Sequence, residues 1–131
     1  MAACPCGLGV AYESCCGCYH AGSLHLLTPT PEALMRSRYS AYAMGLRDYV
    51  LDTWHASTRP THMERFDSGV KWLGLTVKRA WTTSSDEGCV EFVARNKPPG
   101  GGPAERLHEL SRFLRVEGRW QYVDAVRNEL N

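Results

Sequence analysis

Apolar residues recur at three- and four-residue steps from Met35 to Val50, and this rhythm gives way after Gly69 to stretches rich in Val, Leu, Trp and Thr. In the first region Met35, Tyr39, Tyr42, Ala43, Leu46, Tyr49 and Val50 fall on one helical stripe. Thr30, Pro31 and Glu32 supply its start signal, a hydroxyl N-cap, a proline at the first helical position and an acid in the first turn. Gly45 ends or kinks the helix, and a second helical piece from Leu46 to Thr53 carries the chain to Trp54 and His55. Ser57 to Thr61 breaks the pattern, and His62 to Ser68 suits one short helix. Strands are predicted over Lys71 to Trp81, Cys89 to Arg95, Leu107 to Val116 and Arg119 to Val123. Between them lie a polar turn from Thr82 to Gly88, a Gly- and Pro-rich loop from Lys97 to Pro103, and a tight hairpin turn at Glu117-Gly118. The tail from Asp124 reads as a fraying end. Helices followed by an antiparallel meander predict an α+β domain, with the helices on one face of a curved sheet that leaves a cone open at one end.

The first twenty residues do not fit this rhythm, because chemistry rather than hydropathy organises them. Five of the six cysteines lie there. A Cys-x-Cys pair, an eight-residue loop and a Cys-Cys pair can bring four thiolates round one tetrahedral ion, a ligand set that zinc favours. Cys4, Cys6, Cys15 and Cys16 are the first choice of ligands, while Cys18 and His20 sit close enough to replace one member of the adjacent pair. Pro5 stiffens the first pair, Gly7, Gly9 and Gly17 let the backbone turn, and Tyr12 covers one side of the metal. Four thiolates leave no position at which water is activated, so such a site is a structural staple. A secreted miniprotein would use such cysteines for disulfides. No charged and then apolar leader precedes the cluster, so reduced thiols in the cytoplasm are expected.

Cys4-Pro5-Cys6-Gly7-x-Gly9-x-x-Tyr12-x-x-Cys15-Cys16-Gly17 resembles the SEC-C motif, the zinc knuckle also found at the C-terminus of the SecA translocation ATPase. The resemblance implies metal ligation by Cys4, Cys6, Cys15 and Cys16. Leu8 and Val10 stand where that motif usually carries Ser and Lys. Further along, Met35 to Tyr42, Thr53-Trp54-His55, Ser57 to Pro60, Val90 to Arg95, Ser111-Arg112-Phe113 and Gly118-Arg119-Trp120 resemble the YchJ-like family. Its members join an N-terminal SEC-C knuckle to a domain similar to nuclear transport factor 2, with a cystatin-like cone. The resemblance implies that fold and the zinc, and no established reaction.

At 131 residues and 44% apolar content the chain suits one packed domain carrying the knuckle as an appendage. The expected division is a knuckle at residues 1–20, a linker at 21–31 with a solvent-exposed His25, and the α+β domain at 32–131. A net charge of +1 requires neither a nucleic-acid nor an acidic-membrane partner, and no apolar run is long enough to span a bilayer.

The remaining question is what the cone holds. Arg36, Ser40 and Arg47 flank the helical stripe on one side and Arg38 on the other. An arginine at such an edge is ordinarily a solvated, snorkelling side chain. The alternative is that Arg36 or Arg38 reaches under the domain to a buried carboxylate or bound anion. A pocket drawn from Arg36, Tyr39, Trp54, His55, Glu91 and Arg112 is the candidate ligand site, with Glu109 and Asp124 as further acids. His55 or His108 would be the base if the protein were a small hydratase- or isomerase-like enzyme. Against that stands an ion-pair ladder of His108, Arg112 and Glu91 on the sheet's exposed face. Trp72, Trp81 and Trp120 read as packing residues, and Cys89 as a buried small one. No phosphate-binding Gly-rich loop, nucleophile elbow or basic stripe is present. The favoured reading is a non-enzymatic cytoplasmic zinc protein that binds a partner protein through the knuckle, or a small ligand in the cone. An open edge strand and arginine-rich faces permit a homodimer.

Overall fold

A computed structural model describes residues 3–61, 70–98 and 100–128. The helix expected over His62 to Ser68 lies outside the described residues. A 3-10 turn over Tyr12–Ser14 and a one-turn helix α1 (Gly17–His20) belong to the cysteine-rich segment. Helices α2 (Pro31–Met44) and α3 (Arg47–Asp52) follow, then strands β1 (Lys71–Ser84), β2 (Glu87–Lys97), β3 (Glu105–Val116) and β4 (Arg119–Asn128).

Helix α2 begins and ends where its terminal chemistry dictates. The Thr30 hydroxyl accepts the Ala33 N–H at 3.1 Å, and Gly45, at φ 75°, closes the C-terminus in the left-handed region. The strands form one antiparallel meander in the order β1-β2-β3-β4. Ser85 and Asp86 alone separate β1 from β2, because Thr82 and Ser84 extend the ladder through what the polar composition marked as a turn. At the other hairpin Glu117 and Gly118 both take positive φ, 52° and 79°, the twist that a two-residue turn requires. The tail expected to fray from Asp124 instead continues β4 to Asn128. A register shift between Arg112 and Phe113 brings Asp124 opposite Arg112, and the pair closes at 3.1 Å.

Leu34, Tyr39, Val90, Phe92, Phe113 and Trp120 form the main core between α2 and the sheet. Close approach is enforced at Gly88, where a Cβ would stand 2.6 Å from the Pro31 ring, so the first turn of α2 rests directly on the sheet. The single apolar stripe describes α2 incompletely. Ala43 is exposed, whereas Ser37, Arg38, Ser40 and Ala41 are buried with Leu34 and Tyr39. The reason is that α2 is covered twice, by the sheet on one side and by the cysteine-rich segment and α3 on the other. That segment is therefore docked on the domain and is no appendage. No described helix is long and apolar enough to cross a membrane.

Candidate metal centre and cone cavity

Chain reversals at Gly7 and Gly9, with φ of 86° and 82°, return the loop so that the Cys4 N–H reaches the Val10 carbonyl at 2.9 Å. The Sγ atoms of Cys4, Cys6, Cys15 and Cys16 then all lie within 4.8 Å of one another. Cys6 and Cys15 approach to 3.6 Å, and every cysteine is free. That spacing is too long for a disulfide, whose S–S bond is about 2.05 Å. It suits an ion, since Zn–S bonds of about 2.3 Å put tetrahedral sulfurs about 3.75 Å apart. Hydrogen bonding from the Cys16 thiol lowers Cys6 to about 5, while burial is the main cause that raises Cys15 to about 12. Cys16 is raised as well, first by its hydrogen bond to Cys6 and then by burial. Four thiolates this close therefore need a cation among them, and an all-sulfur tetrahedral donor set fits zinc.

The surroundings orient this cluster. Ser40, fully buried on α2, lies 3.4 Å from the Cys4 sulfur, and the Arg36 guanidinium donates to the Cys6 carbonyl at 3.0 Å while pairing with Glu32. Tyr12 packs on the cluster and so closely on Gly17 that a Cβ there would meet its ring at 2.9 Å. The two alternative ligands lie elsewhere. His20 Nε2 is 2.8 Å from the Ser37 carbonyl, which can only accept, so Nδ1 is the acceptor for the Tyr12 hydroxyl at 2.6 Å. Burial lowers its pKa, and its ring stands edge-on to Tyr49. Cys18 donates its thiol to the Cys15 carbonyl at 2.9 Å.

On the opposite side of α2 the cone holds a cavity of about 180 Å³. Its walls include Arg38, Tyr39, Tyr42, Trp54, Trp72 and Glu109. Tyr39 and Trp54 thus face the cavity, and the other pocket candidates do not. Arg36 is turned to the knuckle. Alternation along β2 and β3 places Phe92, Leu107 and Glu109 on the cavity side, and therefore Glu91, His108 and Arg112 on the outer face. There Glu91 accepts from His108 and Arg79, each at 2.7 Å, and Arg112 pairs with Asp124. Arg79 and His108 hold the Glu91 carboxyl below its usual range.

His55 is also outside the cavity lining. Its backbone N–H pairs with the Tyr122 carbonyl at 2.7 Å and its Nδ1 accepts the Ser57 N–H at 3.0 Å, so it ends a short bridge to β4. Among the described residues the cavity has no histidine in its walls. Trp120 is core, Trp72 lines the cavity, and Trp81 lies under Arg79 on the outer face. Cys89 is half-buried on that face rather than enclosed.

Arg38 is the residue whose importance the sequence pattern understated. It is 4% exposed. Its Nη1 donates to the Val50 carbonyl and the Thr53 hydroxyl, each at 2.8 Å, and its guanidinium lies 4.5 Å from the Tyr122 ring centre and 5.1 Å from that of Trp54. Its place beside a stripe that carries Tyr39, Tyr42 and Tyr49 is the signal the sequence offers.

The family described as YchJ, middle NTF2-like domain, matches residues 30–125. The UPF0225 protein of Chromobacterium violaceum is 57% identical over 129 residues, which cover 95% of this chain and 93% of that protein. The UPF0225 protein of Bordetella parapertussis is 53% identical over 124 residues, covering 95% and 92%. Two solved structures of SEC-C motif containing proteins are similar throughout. The solution structure from Rhodopseudomonas palustris has a TM-score of 0.81 at 36% identity, covering 93% of this chain and 95% of that one. The crystal structure from Psychrobacter arcticus has a TM-score of 0.76 at 27% identity, covering 98% and 83%.

Proposed function

Because this chain belongs to the YchJ-like family, UPF0225, we propose that it is a zinc-stapled binding module rather than an enzyme. Cys4, Cys6, Cys15 and Cys16 hold one structural Zn²⁺, and the domain they clamp offers its cone to a small ligand and its knuckle to a partner protein. The observation that carries the metal reading is the convergence of four sulfurs within 4.8 Å, all unoxidised. Zinc supplies the positive charge that lets the four thiolates coexist; the chain's own residues do the rest. Ser40 and Arg36 orient the ligand loops, and Tyr12 keeps water from one side of the cluster. Exposed Leu8 and Val10 at the loop tip support a protein contact there. Four reduced thiols fit the cytoplasm, where glutathione and thioredoxin preserve them.

Elemental analysis and native mass spectrometry of the folded chain are expected to give about one zinc per molecule. Folded, metal-free protein with disulfides between Cys4 and Cys16 would remove the reading.

A further inference from the structure

We propose that the cone cavity is the binding site of a small aromatic carboxylate that also carries a hydrogen-bond donor. This rests on the reading of the cone as a ligand-binding module and states what it selects.

The cone wall carries a positive charge with no described counter-charge in ion-pair reach. Arg38 is buried, and among the described residues no carboxylate lies within ion-pair distance of it. Burying an ion is costly unless an opposite charge or a full set of hydrogen bonds compensates it. The two described bonds of the guanidinium use Nη1 alone, which leaves the edge formed by Nε and Nη2 available to a carboxylate. Stacking against Tyr122 and Trp54 holds the fork in position before any ligand arrives.

The other walls narrow the ligand further. Tyr42 and Trp72, whose rings lie 6.1 Å apart, supply aromatic surface for a planar body. From β3, Glu109 enters the cavity wall with one described side-chain contact, a long 3.4 Å bond from the Ser111 hydroxyl, and burial raises its pKa. This acid suits a hydroxyl or amino group on the ligand. One guanidinium matches one carboxylate, and an acid elsewhere in the same wall repels further negative charge, so a phosphate dianion fits poorly. A cavity of about 180 Å³ holds a substituted ring rather than a nucleotide.

The test uses the zinc-loaded full-length chain and 4-hydroxybenzoate as probe, followed by the tryptophan indole NMR signals. Saturable shifts of the Trp54 and Trp72 signals are expected. Benzamide, which has the ring without the charge, should bind about tenfold more weakly, as should 4-hydroxybenzoate to Arg38→Gln. Benzoate, which lacks the donor, should bind several-fold more weakly, and Glu109→Gln should narrow that gap. Should Arg38→Gln fail to fold, the benzoate and benzamide pair on the wild-type chain decides the charge question alone. Equal affinity for benzamide overturns the carboxylate assignment and leaves a ligand-binding cone. Absence of any saturable shift from all three probes, with zinc retained, overturns the binding cone itself and leaves the metal staple standing.

Discussion

The two sides of α2 are both buried and are built on opposite principles. Toward the sheet the helix presents Leu34 and Tyr39 to Val90, Phe92, Phe113 and Trp120, a core that forms because apolar area leaves water. Toward the knuckle it presents Ser37 and Ser40, fully buried, with Arg36 at their edge. That side has few apolar atoms to bury. Small hydroxyls allow close approach, and directed bonds to Cys4, Cys6 and His20 hold the contact. One side rests on apolar packing, and the other on polar contacts to the loop that carries the four clustered sulfurs. A polar helical face is not evidence of solvent when a cysteine cluster lies against it.

Breaking the knuckle is expected to have the largest effect. Cys6→Ser should lose the metal and lower stability by on the order of 4 kcal/mol, a fall in Tm of about 10 °C or more by calorimetry. The sheet should survive, giving a residual cooperative transition and an intact far-ultraviolet strand signal. A fully unfolded variant would show instead that the two sides are not independent. Next comes the cone side. Arg38→Ala removes the bonds to the Val50 carbonyl and the Thr53 hydroxyl and the stacking on Tyr122 and Trp54. A loss of about 3 kcal/mol in denaturant titration is expected, with zinc content unchanged. The smallest change sharpens the boundary between them. Ser40→Ala removes the hydroxyl beside the Cys4 sulfur and should cost about 1 kcal/mol of stability and about tenfold in zinc retention against a chelator.

What was legible in the sequence follows the same division. The cysteine cluster could be read because ligand spacing is local, and Thr30, Pro31 and Glu32 announced α2 because capping is local too. Tyr39 and Trp54 line the cavity, the one on the amphipathic stripe and the other just after it. Arg36, Glu91, Arg112 and His55 went elsewhere because a pocket is assembled across strands and helices. Which face a strand residue takes depends on a register no single segment encodes. The burial of Ser40 is hidden from the sequence for a different reason. Hydropathy assigns polar residues to water, and here the second cover over α2 comes from a segment whose own folding depends on sulfur chemistry.

The seating of Pro31 on Gly88 has a mechanical consequence. With its first turn pinned against backbone, α2 cannot slide along the sheet; it can only swing, and its far end at Met44 lies about 20 Å from the pivot at 1.5 Å per residue. A swing of about 5° would displace that end by about 2 Å while hardly moving Pro31. Anything that loosens or tightens the cysteine loop against the back of this lever would therefore be felt most near Tyr42, where the aromatic walls meet.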